Sequence, residues 1–429
     1  MENLFGKIIG LTGLRKERIF TFLVVFMMFG NTYLVPFLPV GFGEVLLFVF
    51  MPFYLKSCLN FMSDAAEKLF YIHFIYVAVV SCFFINLFDA SLSEPINRML
   101  RNGYYYFFIF VLGKNLCNRF FFEKYVIFFC VFLAAFVILQ YAYHTLTGGV
   151  LPGVLFNMRM GNGVESGYRI YQSSLATIDF WGQYRPNGFL CEPAHVAQSL
   201  FIGTMIALHS NSIFIKKKKL LALFFSVAVL MTQSTTGLFA LCFVWGAFLF
   251  FQKKMFFLKL ILVILAFSIL IVQNNSNDEF NALSRAKNSM SQSSADASAH
   301  DRIYKGFDDF FKLPIPLQFC GTGWGLYKSV VKNSKEFDAT DRNEYMSSFT
   351  SVLFASGYCG FIIFTIAFGI LFYNSNRLGR IAVVGYWILS MGCSIYVSPV
   401  FVWIMMIVLL NNKNAKGETL FINNDKCQS

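Results

Sequence analysis

The sequence predicts an all-α, polytopic membrane protein of about twelve transmembrane helices with two large loops on one side. Three observations predict it. Of the 429 residues, 57% are hydrophobic, 19% aromatic and only 14% charged, where an ordinary soluble domain carries roughly 25% charged residues. One soluble core cannot keep that much Phe, Leu, Ile and Val from water, and the mean hydropathy of +0.59 agrees. Apolar runs of about 13 to 24 residues recur between Ile19 and Leu410, and about 20 are needed to cross hydrocarbon at 1.5 Å per residue. Runs such as 120–140 are also apolar on every face, unlike the alternating ten-residue segments of a barrel. Disorder, a disulfide scaffold and a nucleic-acid domain are excluded, since each needs a more polar or more Cys-dense chain. The net charge of +12 does not point to nucleic acid, because most Lys and Arg punctuate the apolar runs.

In chain order, spans are expected at 19–37, 41–55, 69–88, 103–118, 125–146, 193–210, 220–232, 236–251, 255–272, 346–372, 381–397 and 399–411. Arg15, Lys16 and Arg18 precede the first span, which has no small-residue cleavage site and so is expected to be itself the targeting signal. Short loops that hold Lys and Arg stay in the cytoplasm. By that rule Lys7 to Arg18, Lys216 to Lys219, Lys253 and Lys254, Arg377 and Arg380, and Lys413 and Lys416 share the cytoplasmic side with both termini. Segments 220–251 and 381–410 are flanked by cations at both ends, so each is expected to fold back through an outer turn, at 232–237 and at Ser398-Pro399. The organisation is then 1–146 with helices 1–5, a first large outer loop at 147–192, helices 6–9 over 193–272, a second large loop at 273–345, and helices 10–12 with a tail over 346–429. In the second loop, 291–299 is small and polar, and 300–311 reads as an amphipathic helix with Ile303, Phe307, Phe310 and Phe311 on the buried face.

The ten Cys lie mostly in apolar runs and act there as small apolar side chains. Cys191 and Cys320 fall in the outer loops, where a disulfide between them is open. The five His show no metal spacing, so no metal and no cofactor are expected. The outer loops concentrate Arg: Arg159, Arg169 and Arg185 in the first, Arg285, Arg302 and Arg342 in the second. A guanidinium offers phosphate a planar bidentate fork and keeps its charge. The alternative for each is a solvated charge facing anionic headgroups.

The sharpest pattern is Arg185-Pro-Asn-Gly-Phe-Leu-Cys-Glu192-Pro-Ala-His195, running straight into an apolar helix. Pro193 suits the first helical turn, which sets Glu192 at the helix N-terminus with His195 one turn along. Such a helix end favours an anion, and the carboxylate there could take a proton from a hydroxyl. A capping carboxylate with a structural His is the plainer alternative. Gly321-Thr-Gly323-Trp324-Gly325 allows close backbone approach to a phosphate or sugar, with Trp324 free to stack on a ring, or it forms a turn and nothing more. Arg342-Asn343-Glu344 repeats the Arg-plus-carboxylate pairing beside a span; an interfacial anchor is the equal alternative.

At these residues the sequence resembles the bacterial O-antigen polymerase and O-antigen ligase superfamily of integral membrane glycosyltransferases. The resemblance rests on Arg-x-x-Gly-Phe-x-x-Glu-Pro at 185–193, Ser-Thr-Thr-Gly at 234–237, Arg302 before Gly321-x-Gly323, and two large periplasmic loops among about twelve helices. It implies an undecaprenyl diphosphate-linked glycan donor, metal-independent transfer with inversion, and a periplasm-facing site in the inner membrane. The ligase branch typically has a His-Asn pair where this chain reads Arg342-Asn343-Glu344, which favours polymerase over ligase. Under the resemblance Arg185 and Arg302, with Arg159, Arg169, Arg342, Gly321, Gly323 and Trp324, bind the diphosphate and glycan, and Glu192 or His195 is the base. A chain-length regulator and a flippase of the same pathway would be its protein partners. A lipid-linked oligosaccharide flippase is the rival of another class; it is expected to carry charges inside its spans, which in this sequence are nearly charge-free.

Overall fold

A computed structural model describes residues 2–35, 40–54, 64–88, 90–153, 184–211, 217–251, 304–333 and 346–412. Among the described residues the protein is helical without strands, apart from two isolated bridges, Leu34 to Gly41 and Ser375 to Asn412. The helices are α1 (Glu2–Gly30), α2 (Phe42–Tyr54), α3 (Ala65–Leu87), α4 (Ser93–Phe107), α5 (Lys114–Leu116), α6 (Arg119–Thr147), α7 (Pro193–His209), α8 (Lys218–Met231), α9 (Thr235–Phe251), α10 (Gly306–Phe311), α11 (Ile315–Cys320), α12 (Tyr327–Asn333), α13 (Ser348–Asn374), α14 (Arg377–Gly392) and α15 (Pro399–Leu410). Three of them, α3, α6 and α13, are long and apolar enough to cross a membrane. Segment 255–272, most of both large loops and residues 291–299 lie outside the described residues.

The boundaries differ from the sequence reading at several ends, and two of them bear on the site. α1 stops at Gly30, seven residues before the expected end, because the chain turns through Asn31 and Thr32 into the Leu34–Gly41 bridge. α4 starts at Ser93, ten residues before the expected span, and a π-turn over Phe108–Gly113 carries it into α5. The extra turns bring Arg98 and Arg101 onto a helix.

α7 and α15 form the centre: α7 is buried from Val196 to His209 and α15 from Val400 to Leu409. α3 packs along α13, and α7 lies against α8 and α9. Both expected hairpins occur. α8 and α9 fold back through Thr232 to Ser234, tied by the Trp245 indole donating to Ser226 Oγ at 2.9 Å. α14 and α15 fold back through 393–398, where the backbone amides of Ile395 and Tyr396 both donate to Ser348 Oγ. A side chain thereby satisfies polar backbone between apolar helices, as such a turn requires.

Lone glycines decide two approaches. α13 is broken at Gly357, which sits at φ 59°, ψ −173°. The break frees the Phe354 and Ala355 carbonyls from their helical partners, and they accept instead from the amides of Thr322 and Gly323. Gly237 lets α9 meet α7, since a Cβ there would stand 2.6 Å from the Ala197 Cβ.

Polar groups gather at two ends of the bundle. One end holds Lys114 beside Glu67 and Asp64, the Asn376–Asn411 pair, and Arg119 with Glu123. The other holds the residues of the candidate site.

Candidate functional site

The Arg185–Glu192 segment is pinned by one side chain of α6. Gln140 accepts from the Gly188 amide at 2.8 Å and donates to the Leu151 and Gly188 carbonyls at 2.9 and 3.2 Å. Asn187 closes the turn by donating to the Leu190 carbonyl, and Gly188 takes φ 60°, a conformation that favours glycine. Phe189 then wedges between Phe29 and Phe129. This turn delivers Arg185 to the head of the α8–α9 hairpin, where its Nε donates to the Thr232 carbonyl at 3.3 Å. The Arg185 segment thereby meets the chain two residues before the Ser-Thr-Thr-Gly element at 234–237.

Glu192 is the N-cap residue of α7 and Pro193 its first residue, as the sequence predicts. The Glu192 carboxylate does not cap the helix it precedes, so the plainer capping role is not the one it takes. His195 lies one turn on, half-buried, with its carbonyl accepting from Ser199 Oγ. Burial pushes the phenol of nearby Tyr184 in the sequence up to about 12, and its ring lies 4.4 Å from that of His144. Cys191 donates to the Thr32 carbonyl. Cys191 and Cys320 are both free thiols, so the disulfide left open by the sequence does not form.

A cavity of about 850 Å³ lies between α2, α4, the Gly323–Gly325 turn and α13. Its polar wall is Arg98, Arg101, Asn97, Asn102 and Glu94, and Val45, Phe48 and Leu100 form its apolar wall. Phe48 and Leu100 are exposed on the outside of the bundle. Glu44, 4% exposed, organises the polar wall. Its Oε1 accepts from Arg101 Nη2 at 3.1 Å and from Tyr105 Oη at 2.5 Å, and its Oε2 from the Gly41 amide at 3.0 Å. Asn31 completes the brace, accepting from the Glu44 amide and donating to Tyr105 Oη. One turn away Arg98 pairs with Glu94 at 3.3 Å. Each guanidinium is thus offset by a carboxylate, and the wall offers hydrogen-bond donors and acceptors side by side.

The glycine turn lies at this cavity but uses its amides internally. Gly321 donates to the Leu317 carbonyl, Thr322 to Phe354, Gly323 to Ala355, and Trp324 to Ser81 Oγ at 2.8 Å. No amide from 321 to 324 remains to cradle a phosphate. Trp324 lines the cavity but is 5% exposed, with its ring 5.3 Å from that of Phe74 and 6.5 Å from that of His73, so little of it remains to stack on a sugar. In α10 Phe310 is buried and Phe307 half-buried against the same cluster, as expected, but Phe311 is exposed and Asp309 buried, which corrects the expected face at those two residues; Ile303 lies outside the described residues. Tyr327 Oη takes up Asp309 at 2.7 Å and turns that face inward.

Arg159, Arg169, Arg285, Arg302 and Arg342, with Asn343 and Glu344, lie outside the described residues. The sequence reading passed over Glu44, Arg98, Arg101 and Gln140. Glu44 and Gln140 carried a usable signal, a polar side chain inside an apolar run. No protein-family model matches the chain, and no curated protein is significantly similar to it.

Proposed function

We propose that the protein is a membrane-embedded glycosyltransferase of the O-antigen polymerase type, joining undecaprenyl diphosphate-linked repeat units at the outer face of the bacterial inner membrane. The observation that carries this reading is the bond from Arg185 to the Thr232 carbonyl, two residues before Ser-Thr-Thr-Gly, with Gly237 of that element packed against Ala197 of the buried helix that Glu192 heads. About twelve crossings, cytoplasmic termini and a periplasmic site belong to the same proposal, as do partnership with a chain-length regulator and a flippase.

In this reading Arg185 and Arg302 hold the diphosphate of the donor. A hydroxyl oxygen of a second lipid-linked unit attacks the anomeric carbon from the opposite side, and the bond from that carbon to the diphosphate oxygen breaks. Glu192 takes the hydroxyl proton, with His195 its nearest substitute, and the lipid diphosphate leaves with its charge met by guanidinium. The 850 Å³ cavity is tied to the Arg185–Glu192 segment through its lining residue Glu44, whose amide donates to Asn31, and through Cys191, which donates to the carbonyl of the next residue, Thr32; its mixed donors, acceptors and apolar wall suit an amphiphilic, hydroxylated ligand. The test is reconstitution of the purified chain with a lipid-linked repeat unit, without nucleotide sugar or metal. A ladder of products is expected, and Arg185→Ala should abolish it; a normal ladder from that variant refutes the assignment.

One observation favours a second reading, a carrier of lipid-linked oligosaccharide. Glu44, Glu67 and Glu123 are all buried in helices and paired with Arg101, Lys114 and Arg119, so the bundle is less free of charge than its apolar runs suggest. Transfer of the labelled lipid across the vesicle wall without ladder formation would select the carrier.

A further inference from the structure

At the opposite end of the bundle from the candidate site lies a second, smaller cavity of about 320 Å³. Three cations line it, Arg119, Lys218 and Arg377. Only Arg119 has a carboxylate among the described residues, Glu123 at 3.0 Å. Lys218 donates to the Ser210 carbonyl, which leaves two of its three ammonium donors for other acceptors. Arg377 is exposed, with its guanidinium 4.3 Å over the Phe251 ring, a contact that leaves the fork of N–H groups unspent. Buried His209 also lines the cavity: its Nε2 lies 3.3 Å from the Val244 carbonyl, and its Nδ1 has no partner among the described residues. Of the remaining lining residues Ser210, Asn211 and Asn376 are polar, and Leu208, Phe248 and Leu378 form an apolar side. Leu220, Phe250 and Phe251 are exposed on α8 and α9 beside it.

We propose that this cavity binds the phosphate group of an anionic membrane phospholipid, with its acyl chains lying on the exposed apolar faces of α8 and α9. Two cations with no carboxylate partner among the described residues, a ring nitrogen with no partner there, and an apolar side of the cavity beside exposed apolar side chains match a phosphate that carries hydrocarbon. A free phosphate shares the headgroup chemistry but has no use for the apolar face. The site is separate from the proposed transferase chemistry and does not depend on it. Each uncompensated interfacial cation adds about a fivefold preference for an anionic lipid, so Lys218 and Arg377 together give a preference of about thirtyfold.

The test titrates the full-length chain in detergent with dioleoyl phosphatidylglycerol, dioleoyl phosphatidylcholine or inorganic phosphate, and reads thermal stability. Phosphatidylglycerol is expected to stabilise at about thirtyfold lower concentration than phosphatidylcholine. The Lys218→Gln/Arg377→Gln variant should lose the difference, and Arg377→Lys should keep most of it. Equal responses to the two lipids overturn the proposal, as does an undiminished preference in the double variant. A full shift from millimolar inorganic phosphate alone overturns the lipid assignment in favour of a free anion. If the double variant does not fold, native mass spectrometry of the wild type in a mixture of the two lipids decides the question: retained phosphatidylglycerol supports the proposal, and lipid retained in proportion to the mixture refutes it.

Discussion

Replacing Glu44 with glutamine keeps the shape of the side chain and removes its charge, and the surrounding geometry sets the cost. Oε1 receives two donors, Arg101 Nη2 and Tyr105 Oη, and Oε2 receives one, the Gly41 amide. The new amide nitrogen therefore settles opposite Gly41, where donor faces donor, and the two bonds at the remaining oxygen lose their ionic character. A hydrogen bond to a charged group contributes about 1.5–3 kcal/mol and a neutral one about 1 kcal/mol, while a stranded buried donor costs about 1–3 kcal/mol. The Arg101 side chain is 54% exposed, so solvent takes most of its share. The sum is a loss of about 2–4 kcal/mol, read as equilibrium unfolding in mixed micelles. In a double-mutant cycle with Tyr105→Phe, the two changes should couple by about 0.5–1.5 kcal/mol, since both act on one 2.5 Å contact. A Glu44→Gln variant within about 0.5 kcal/mol of wild type, or additive changes, would refute the claim that this carboxylate braces the cavity wall.

Lys114→Met strands the fully buried carboxylate of Glu67, 2.6 Å from the ammonium it loses. The expected cost by the same unfolding assay is about 3–5 kcal/mol, and adding Glu67→Gln should recover part of it. Gly357→Ala must hold φ near +59° and place a Cβ against the Gly321 amide and the Phe319 carbonyl, so a loss of about 1–3 kcal/mol or more is expected, where an unchanged melting temperature contradicts the broken α13. In a background without other cysteines, Asn97→Cys and Asn376→Cys should react with a membrane-impermeant maleimide from opposite faces of sealed vesicles; labelling from one face refutes the proposed sidedness.

The helical character and the positions of most helices were legible because a bilayer leaves a coarse trace, long apolar runs bounded by cations. Pro193, Pro399 and the Lys clusters mark helix starts and turns by local chemistry alone, and the structure begins α7 and α15 at those prolines. The early stop of α1 and the early start of α4 were not legible. Both depend on pairings over distance, Asn31 with Glu44 and Arg101 with Glu44, which no run of neighbouring residues announces. The glycine turn misled for the same reason. Its composition suits an anion cradle, but its amides serve carbonyls freed by a helix break more than thirty residues later, as in the Thr322–Phe354 bond, whose separation is 32 residues.

What the sequence by itself determined is the apolar character of this protein and the segments that become helices, because transfer from water and the 3.6-residue period act on each segment separately. Which polar side chains face one another was decided by tertiary structure alone. Inside an apolar bundle a lone carboxylate or guanidinium must find its partner on another helix, and that choice depends on packing across the whole molecule.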